Sequence, residues 1–377
     1  MDDIEKIVEL LQRQNSWQKI IEYLKPMVEQ GKISATTLRA LGFAYSQLDR
    51  YDEARYCYKL WLEIEPNRAQ PYYNIGYTFY DAGNWKEAVQ WFDQALEIMP
   101  DYIVCLYRKG VALYMSGKTR NAMETLRQAV KVYQDINKGD FKRRLSKYYY
   151  RSVFYLGKCY LRSGSFQNAR ACFEKVMQED RRNYIDKLFV RYNLALSLTH
   201  LKEFEAAEII VKELVQRNPK AEWLYDFWGR MLIDQKRYAE AIDKLNLAMR
   251  IRIQPYVLMD RARANYFAGN RAAAKQDLNE ALRRDRNKAG HKILLELAKI
   301  ANEEKQFSQA IQFAKRAIQF KLKNYDVDYA EAHLLLSEIY KALGKEKEAG
   351  EEFNIAQNLR PQMEWEDELL LKAKIIL

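Results

Sequence analysis

A spacing of thirty-four residues runs through this chain. Gly42, Gly76 and Gly110 stand that far apart, and each has an alanine twelve residues further on: Ala54, Ala88 and Ala122. Gly157 and Gly229 are followed in the same way by Ala169 and Ala241. Around Gly76 the text reads Tyr72, Ile75, Gly76, Phe79, Gly83, Trp85, Ala88, Phe92, Ala95 and Pro100. Apolar residues fall at helical spacing in two bursts, Ala69 to Asp81 and Trp85 to Glu97, with Gly83 and Asn84 in the break. A period of this length means one small supersecondary unit stacked on copies of itself. Glycine and alanine let the paired helices approach closely, and the large rings fill what lies between. Pro100 stops the second helix, because proline has no N–H to donate and clashes with the preceding turn.

This pattern resembles the tetratricopeptide repeat, a helix-turn-helix unit with small and aromatic residues at fixed offsets. Copies fall near 1–34, 35–68, 69–102, 103–136, 150–183, 188–221, 222–254, 255–288, 291–324 and 330–363. The first copy is degenerate, and thirteen extra residues, 137–149, separate Gly110 from Gly157. The resemblance implies an all-α, right-handed superhelical solenoid of about ten units, one continuous array over 1–363. Residues 364–377 read as an amphipathic helix capping the last open face.

Composition narrows the setting. Among 377 residues there are only seven prolines and fourteen glycines, so no linker or low-complexity tract interrupts the array. No apolar run is long enough to span a membrane. The start, Met1-Asp2-Asp3-Ile4-Glu5, lacks the layout of a secretory signal, so a cytoplasmic protein is expected. Cys57, Cys105, Cys159 and Cys172 contain no CxxC pair, and His200, His291 and His333 have no ligand neighbour at helical spacing. Neither a metal nor a cofactor is expected, and the cysteines read as reduced packing residues.

Fragments that suggest catalysis dissolve on inspection. Ser116-Gly117-Lys118-Thr119 ends like a phosphate loop, but Ala112 stands where the upstream glycine is required. Ser16 and Lys19 have the SxxK spacing without any partner motif. With no nucleophile, base and orienting group in sight, the chain is expected not to be an enzyme.

Function is therefore sought on the surface. In the resembling family the first helix of each unit lines a groove that holds an extended peptide or partner protein. Mapped onto this chain, the groove positions are Arg39, Tyr73, Asn74, Tyr77, Tyr80, Tyr107, Arg108, Tyr114, Arg151, Phe154, Tyr155, Lys158, Arg162, Phe189, Tyr192, Asn193 and His200, continuing through Trp223, Asp226, Phe227, Arg230, Tyr256, Asp260, Arg263 and Tyr266. Tyrosine and arginine concentrate at binding hot spots, although some of these rings are expected to pack between neighbouring helices instead. Comparison with the family's carboxylate clamp picks out Arg39, Asn74 and Arg108, while Phe43 and Val104 depart from it.

Charge points the same way. The net charge is +11, and residues 103–187 hold nineteen Lys and Arg against seven Asp and Glu, a net of +12. A partner of acidic character is expected. Within the insertion, Lys138, Lys142, Arg143, Arg144 and Lys147 stand next to Tyr148, Tyr149 and Tyr150. That mixture supports a second reading, a nucleic-acid-associated adaptor using residues 138–151. The primary expectation is a non-catalytic protein-interaction scaffold.

Overall fold

The computed structural model describes residues 2–359 apart from 32 and 138. Lys138, the end of the 330–363 copy with Pro361, and the expected capping helix 364–377 lie outside the described residues. Among those described, every regular element is a helix and none is a strand. The helices come in pairs. They are α1 (Asp2–Arg13) with α2 (Trp17–Glu29), α3 (Ala35–Gln47) with α4 (Tyr51–Ile64), and α5 (Ala69–Asp81) with α6 (Trp85–Ile98). Next come α7 (Ile103–Met115) with α8 (Thr119–Asp135), α9 (Asp140–Arg162) with α10 (Phe166–Glu179), and α11 (Lys187–His200) with α12 (Phe204–Arg217). The remainder are α13 (Glu222–Asp234) with α14 (Tyr238–Ile251), α15 (Pro255–Phe267) with α16 (Arg271–Arg284), α17 (Gly290–Glu303) with α18 (Phe307–Tyr325), and α19 (Ala330–Ala342) with α20 (346–359).

The recurring glycine has a steric cause. A Cβ on Gly76 would lie 2.8 Å from the Phe92 ring and 3.1 Å from the Trp91 Cβ, so the two helices of that pair meet backbone to side chain. At Gly229 the same atom would lie 2.6 Å from Leu245. Ala88, Ala95, Ala241 and Ala248 are fully buried opposite these crossings. Any larger residue there would overpack the contact.

The links between paired helices share one device. Each turns on a residue of positive φ, such as Gly83 (79°) and Gly117 (83°). The next N–H then reaches back to the helix end: Asn84 N–H donates to the Phe79 carbonyl at 2.8 Å, and Lys118 N–H to the Leu113 carbonyl at 2.9 Å. Asp49, Lys202, Lys236 and Lys305 hold the same conformation without being glycine (φ 57° to 62°). Two hydrogen bonds at each helix end outweigh the roughly 1 kcal/mol a side chain costs there.

The chain divides into two compact units, Met1–Asn193 and Leu194–Leu377. In the first, α5 touches α7 and α7 touches α9, so these first helices lie side by side and share one face. In the second, α13 touches α15 and α17 touches α19. The insertion is mostly helix: α9 is 23 residues long and begins at Asp140, nearly three turns ahead of the 150–183 copy.

Candidate protein-binding face

The face shared by α5, α7 and α9 is built from tyrosines and cations. Tyr73, Tyr77 and Tyr80 lie along α5 with near-parallel rings, Tyr73 to Tyr77 at 6.0 Å and Tyr77 to Tyr80 at 6.1 Å between centroids. The Arg108 guanidinium, from α7, sits 4.7 Å from the Tyr77 ring centre and 4.9 Å from that of Tyr80. It also lies 5.6 Å from Tyr107 and is within 3.5 Å of the Tyr77 hydroxyl. Asp81 is close enough to feel its charge, yet burial pushes the Asp81 carboxyl up against the pull of Tyr77 and Arg108.

α9 continues the arrangement. The Lys158 amine lies 5.1 Å from the centre of Tyr114 and 5.2 Å from that of Tyr155. Four residues on, Arg162 stacks 3.7 Å over Tyr114, and its Nη1 donates to the Tyr114 carbonyl at 2.7 Å. Arg162 is only 4% exposed. Arg151 and Arg108 act electrostatically on the same three phenols, Tyr80, Tyr107 and Tyr155. Burial and the Arg162 charge push the Lys158 amine down to about 8. Burial pushes the Tyr77 and Tyr80 phenols up, and those of Tyr114 and Tyr155 up to about 12, so these hydroxyls stay neutral donors. None of Arg108, Arg151, Lys158 and Arg162 forms an ion pair with a carboxylate among the described residues. Arg108, Lys158 and Arg162 therefore rest on ring faces, and Arg162 also on the Tyr114 carbonyl.

Models of the tetratricopeptide repeat match residues 34–101, 67–135, 150–183 and 330–363. The chain belongs to the tetratricopeptide repeat family. Solved structures of similar fold include a tetratricopeptide repeat protein from Parabacteroides merdae (15% identical, covering 72% of this chain and 94% of that one, TM-score 0.49). A human IFIT1 dimer with PPP-AAAA is 16% identical over 91% of this chain and 78% of that one, with a TM-score of 0.45. PilF of Pseudomonas aeruginosa is 20% identical over 60% of this chain and 97% of its own, with a TM-score of 0.44. These likenesses are of fold alone. Among curated proteins none matches.

In repeat terms the mapped groove is narrower than its list of residues. Tyr107 and Tyr114 are 5% and 1% exposed, so they form the wall behind the cations rather than a contact surface. Asn193 is buried too, with its amide donating to the Phe189 carbonyl of its own helix at 2.7 Å. Tyr73, Tyr77, Arg108, Arg151, Tyr155, Lys158 and Tyr192 are half-buried and keep some exposed surface. Arg39 and Asn74 come together elsewhere, in a cleft of about 440 Å³ that Glu5 and Glu9 also line. Arg108 does not line it, so the three clamp-like residues do not form one cluster.

The basic insertion also differs from its sequence reading. Lys142 turns inward and caps the end of α8, donating to the Ile136 carbonyl at 2.7 Å and the Gln134 carbonyl at 3.2 Å. Arg143 pairs with Asp140 at 2.7 Å. Lys147 lies 4.8 Å from the ring centre of Tyr148, and Arg144 is exposed. The neighbouring rings are engaged in packing, with Tyr149 stacked on Tyr133 at 4.4 Å and Tyr150 on Tyr184 at 6.4 Å.

The second unit treats its cations in the opposite way. Arg230 lies 3.2 Å from Asp226 and 3.7 Å from Asp260, and Arg263 lies 3.6 Å from Asp234. Arg261 grips Asp277 with two nitrogens, and Lys275 pairs with Glu304. What the sequence reading missed was this pairing. Its signal was available: α7 carries no acid, and α9 carries none after Asp140, whereas α13 has three.

Among the described residues no helix is long and apolar enough to cross a membrane, and no group of three or more His, Cys, Asp or Glu is placed to hold a metal.

Proposed function

We propose that this tetratricopeptide repeat protein is a non-catalytic, cytoplasmic scaffold whose first unit holds an acidic stretch of a partner protein. The contact surface is the face of α5, α7 and α9. One observation carries the reading: Arg108, Arg151, Lys158 and Arg162 are concentrated there without any carboxylate partner of their own. A desolvated cation lacking a counter-charge gains a charge-assisted hydrogen bond when a carboxylate arrives, which is the gain that holds such a partner. The surrounding rings fix the cations in place beforehand, so little side-chain freedom is lost on binding. The net positive charge of residues 103–187 raises the rate of encounter with acidic surfaces. Free thiols at Cys57, Cys105, Cys159 and Cys172 suit a reducing compartment.

A nucleic-acid adaptor is the second reading. It draws on Arg144 and Lys147, while Lys142 and Arg143 are already engaged within the protein. The discriminating experiment recovers partners from the source cell with the wild-type chain and with Arg108→Ala and Arg151→Ala combined. Loss of acidic partner proteins at unchanged helicity supports the scaffold. Recovery of the same proteins in the same amounts contradicts it.

A further inference from the structure

The tyrosine–cation face has a built-in spacing. Arg151 and Lys158 are seven residues apart on α9, two turns, so their side chains leave the same side of the helix about 10.5 Å apart along its axis. Tyr155 stands between them, half-buried. On the Arg151 side, Arg108 of α7 lies 5.6 Å from the Tyr107 ring, which meets Tyr155 edge-on at 6.3 Å, and both arginine charges act on Tyr80, Tyr107 and Tyr155. At the other end Lys158 is backed by Arg162, which is buried and fixed to the Tyr114 carbonyl. The cations thus form two doublets, one on each side of Tyr155.

The ring faces argue against a nucleic-acid occupant. Single-stranded nucleic acid gains affinity by stacking bases on open aromatic faces. Here Tyr77 lies between Tyr73 and Tyr80 with Arg108 against it, and Tyr114 is covered by Arg162 and Lys158. Tyr155 carries Lys158 on its ring and meets Tyr107 and Tyr114 edge-on. What the face leaves to a ligand is charge.

We infer that this face reads two carboxylates about 10 Å apart on one extended segment of a partner protein, one at the Arg108–Arg151 end and one at Lys158. The inference rests on the acidic-partner reading above and adds a spacing to it. In an extended polyproline-like segment, residues three apart point the same way and are separated by about 9 Å, close to the interval on α9. An adjacent acidic pair reaches only one doublet, and a pair six apart overshoots it.

The test titrates the full chain with fluorescent proline-rich peptides that carry two glutamates one, three or six positions apart, with an oligouridylate as control. The three-apart peptide is expected to bind about tenfold tighter than the other two. Arg151→Gln and Lys158→Gln are each expected to reduce it to the level of a one-glutamate peptide, with circular dichroism unchanged. Equal affinity for all three spacings overturns the spacing while leaving the acidic-partner reading standing. If no acidic peptide binds, or if only the oligouridylate does, both are overturned.

Discussion

The two units of this chain put several of the cations on their first helices to different uses. In the second unit each arginine described above has its acid: Arg230 between Asp226 and Asp260, Arg261 on Asp277, Arg263 beside Asp234. In the first, Arg108, Lys158 and Arg162 lean on tyrosine rings instead. Both arrangements are compatible with the same helix-pair packing, because the glycine and alanine crossings lie on the buried side. The difference teaches that charge pairing, not charge content, distinguishes the two surfaces. Tyr77, Tyr80 and Tyr114 hold the cations without neutralising them.

The largest expected effect falls in the second unit. Asp277 is 3% exposed and bonds both Arg261 and Asn265, so Asp277→Ala leaves a part-buried guanidinium with only its bond to Asn246. A loss of about 3–5 kcal/mol in urea unfolding is expected. A loss below about 1 kcal/mol would mean that this pair is not structural, and the contrast would weaken.

Next comes a change of opposite sign. Lys158 has its amine pushed down to about 8 from the ordinary 10.5, so the folded protein disfavours its charge at neutral pH. Stability from this group is missing below about 8 and grows as pH rises toward 10.5. Lys158→Met is expected to stabilise the free protein by about 1–2 kcal/mol at pH 7, flatten that alkaline rise and reduce binding of the three-apart peptide to the level of a one-glutamate peptide. Destabilisation by this variant would show that the amine is already satisfied within the fold.

Asp226 is the mirror image. It is 3% exposed; burial and the Asp260 charge push its carboxyl up, and Arg230 opposes them. Its contribution is fully present below the ordinary carboxylate value of 3.8 and fades as pH rises through the elevated folded value. Asp226→Asn is expected to reduce that fading by about 1 kcal/mol, seen as a smaller fall in melting temperature across the same range. The smallest effect belongs to the insertion: Arg143→Ala with Arg144→Ala is expected to change acidic-peptide affinity less than about twofold, because exposed pairs contribute little.

Much of the fold was legible because its causes are local. The thirty-four-residue spacing marks where Gly76 meets Phe92, and the apolar bursts mark the helices that flank it. Glycine and Asn or Lys breaks mark the turns in the sequence, while Asp49 takes the same left-handed conformation under pressure from the helix-end hydrogen bonds. Side-chain fate was the harder part. Nothing in the spelling of residues 141–150 says that Lys142 bends back to cap α8, and repeat position alone does not separate buried Tyr107 and Tyr114 from half-buried Tyr77 and Tyr155. Arg162 was mapped as a groove position and instead serves as a buried support behind Lys158. The scarcity of acids on α7 and α9 was readable throughout, and it is the feature that sets this face apart.

The central claim is that the first unit keeps unneutralised positive charge for an acidic partner, and the Lys158 amine reports on it directly. Its titration can be followed by nuclear magnetic resonance on the full chain with labelled lysine, with and without the peptide bearing glutamates three positions apart. The account expects a value near 8 in the free protein, rising toward 10.5 when the peptide is bound. An ordinary value in the free protein, or a depressed one that the peptide leaves unmoved, would contradict it.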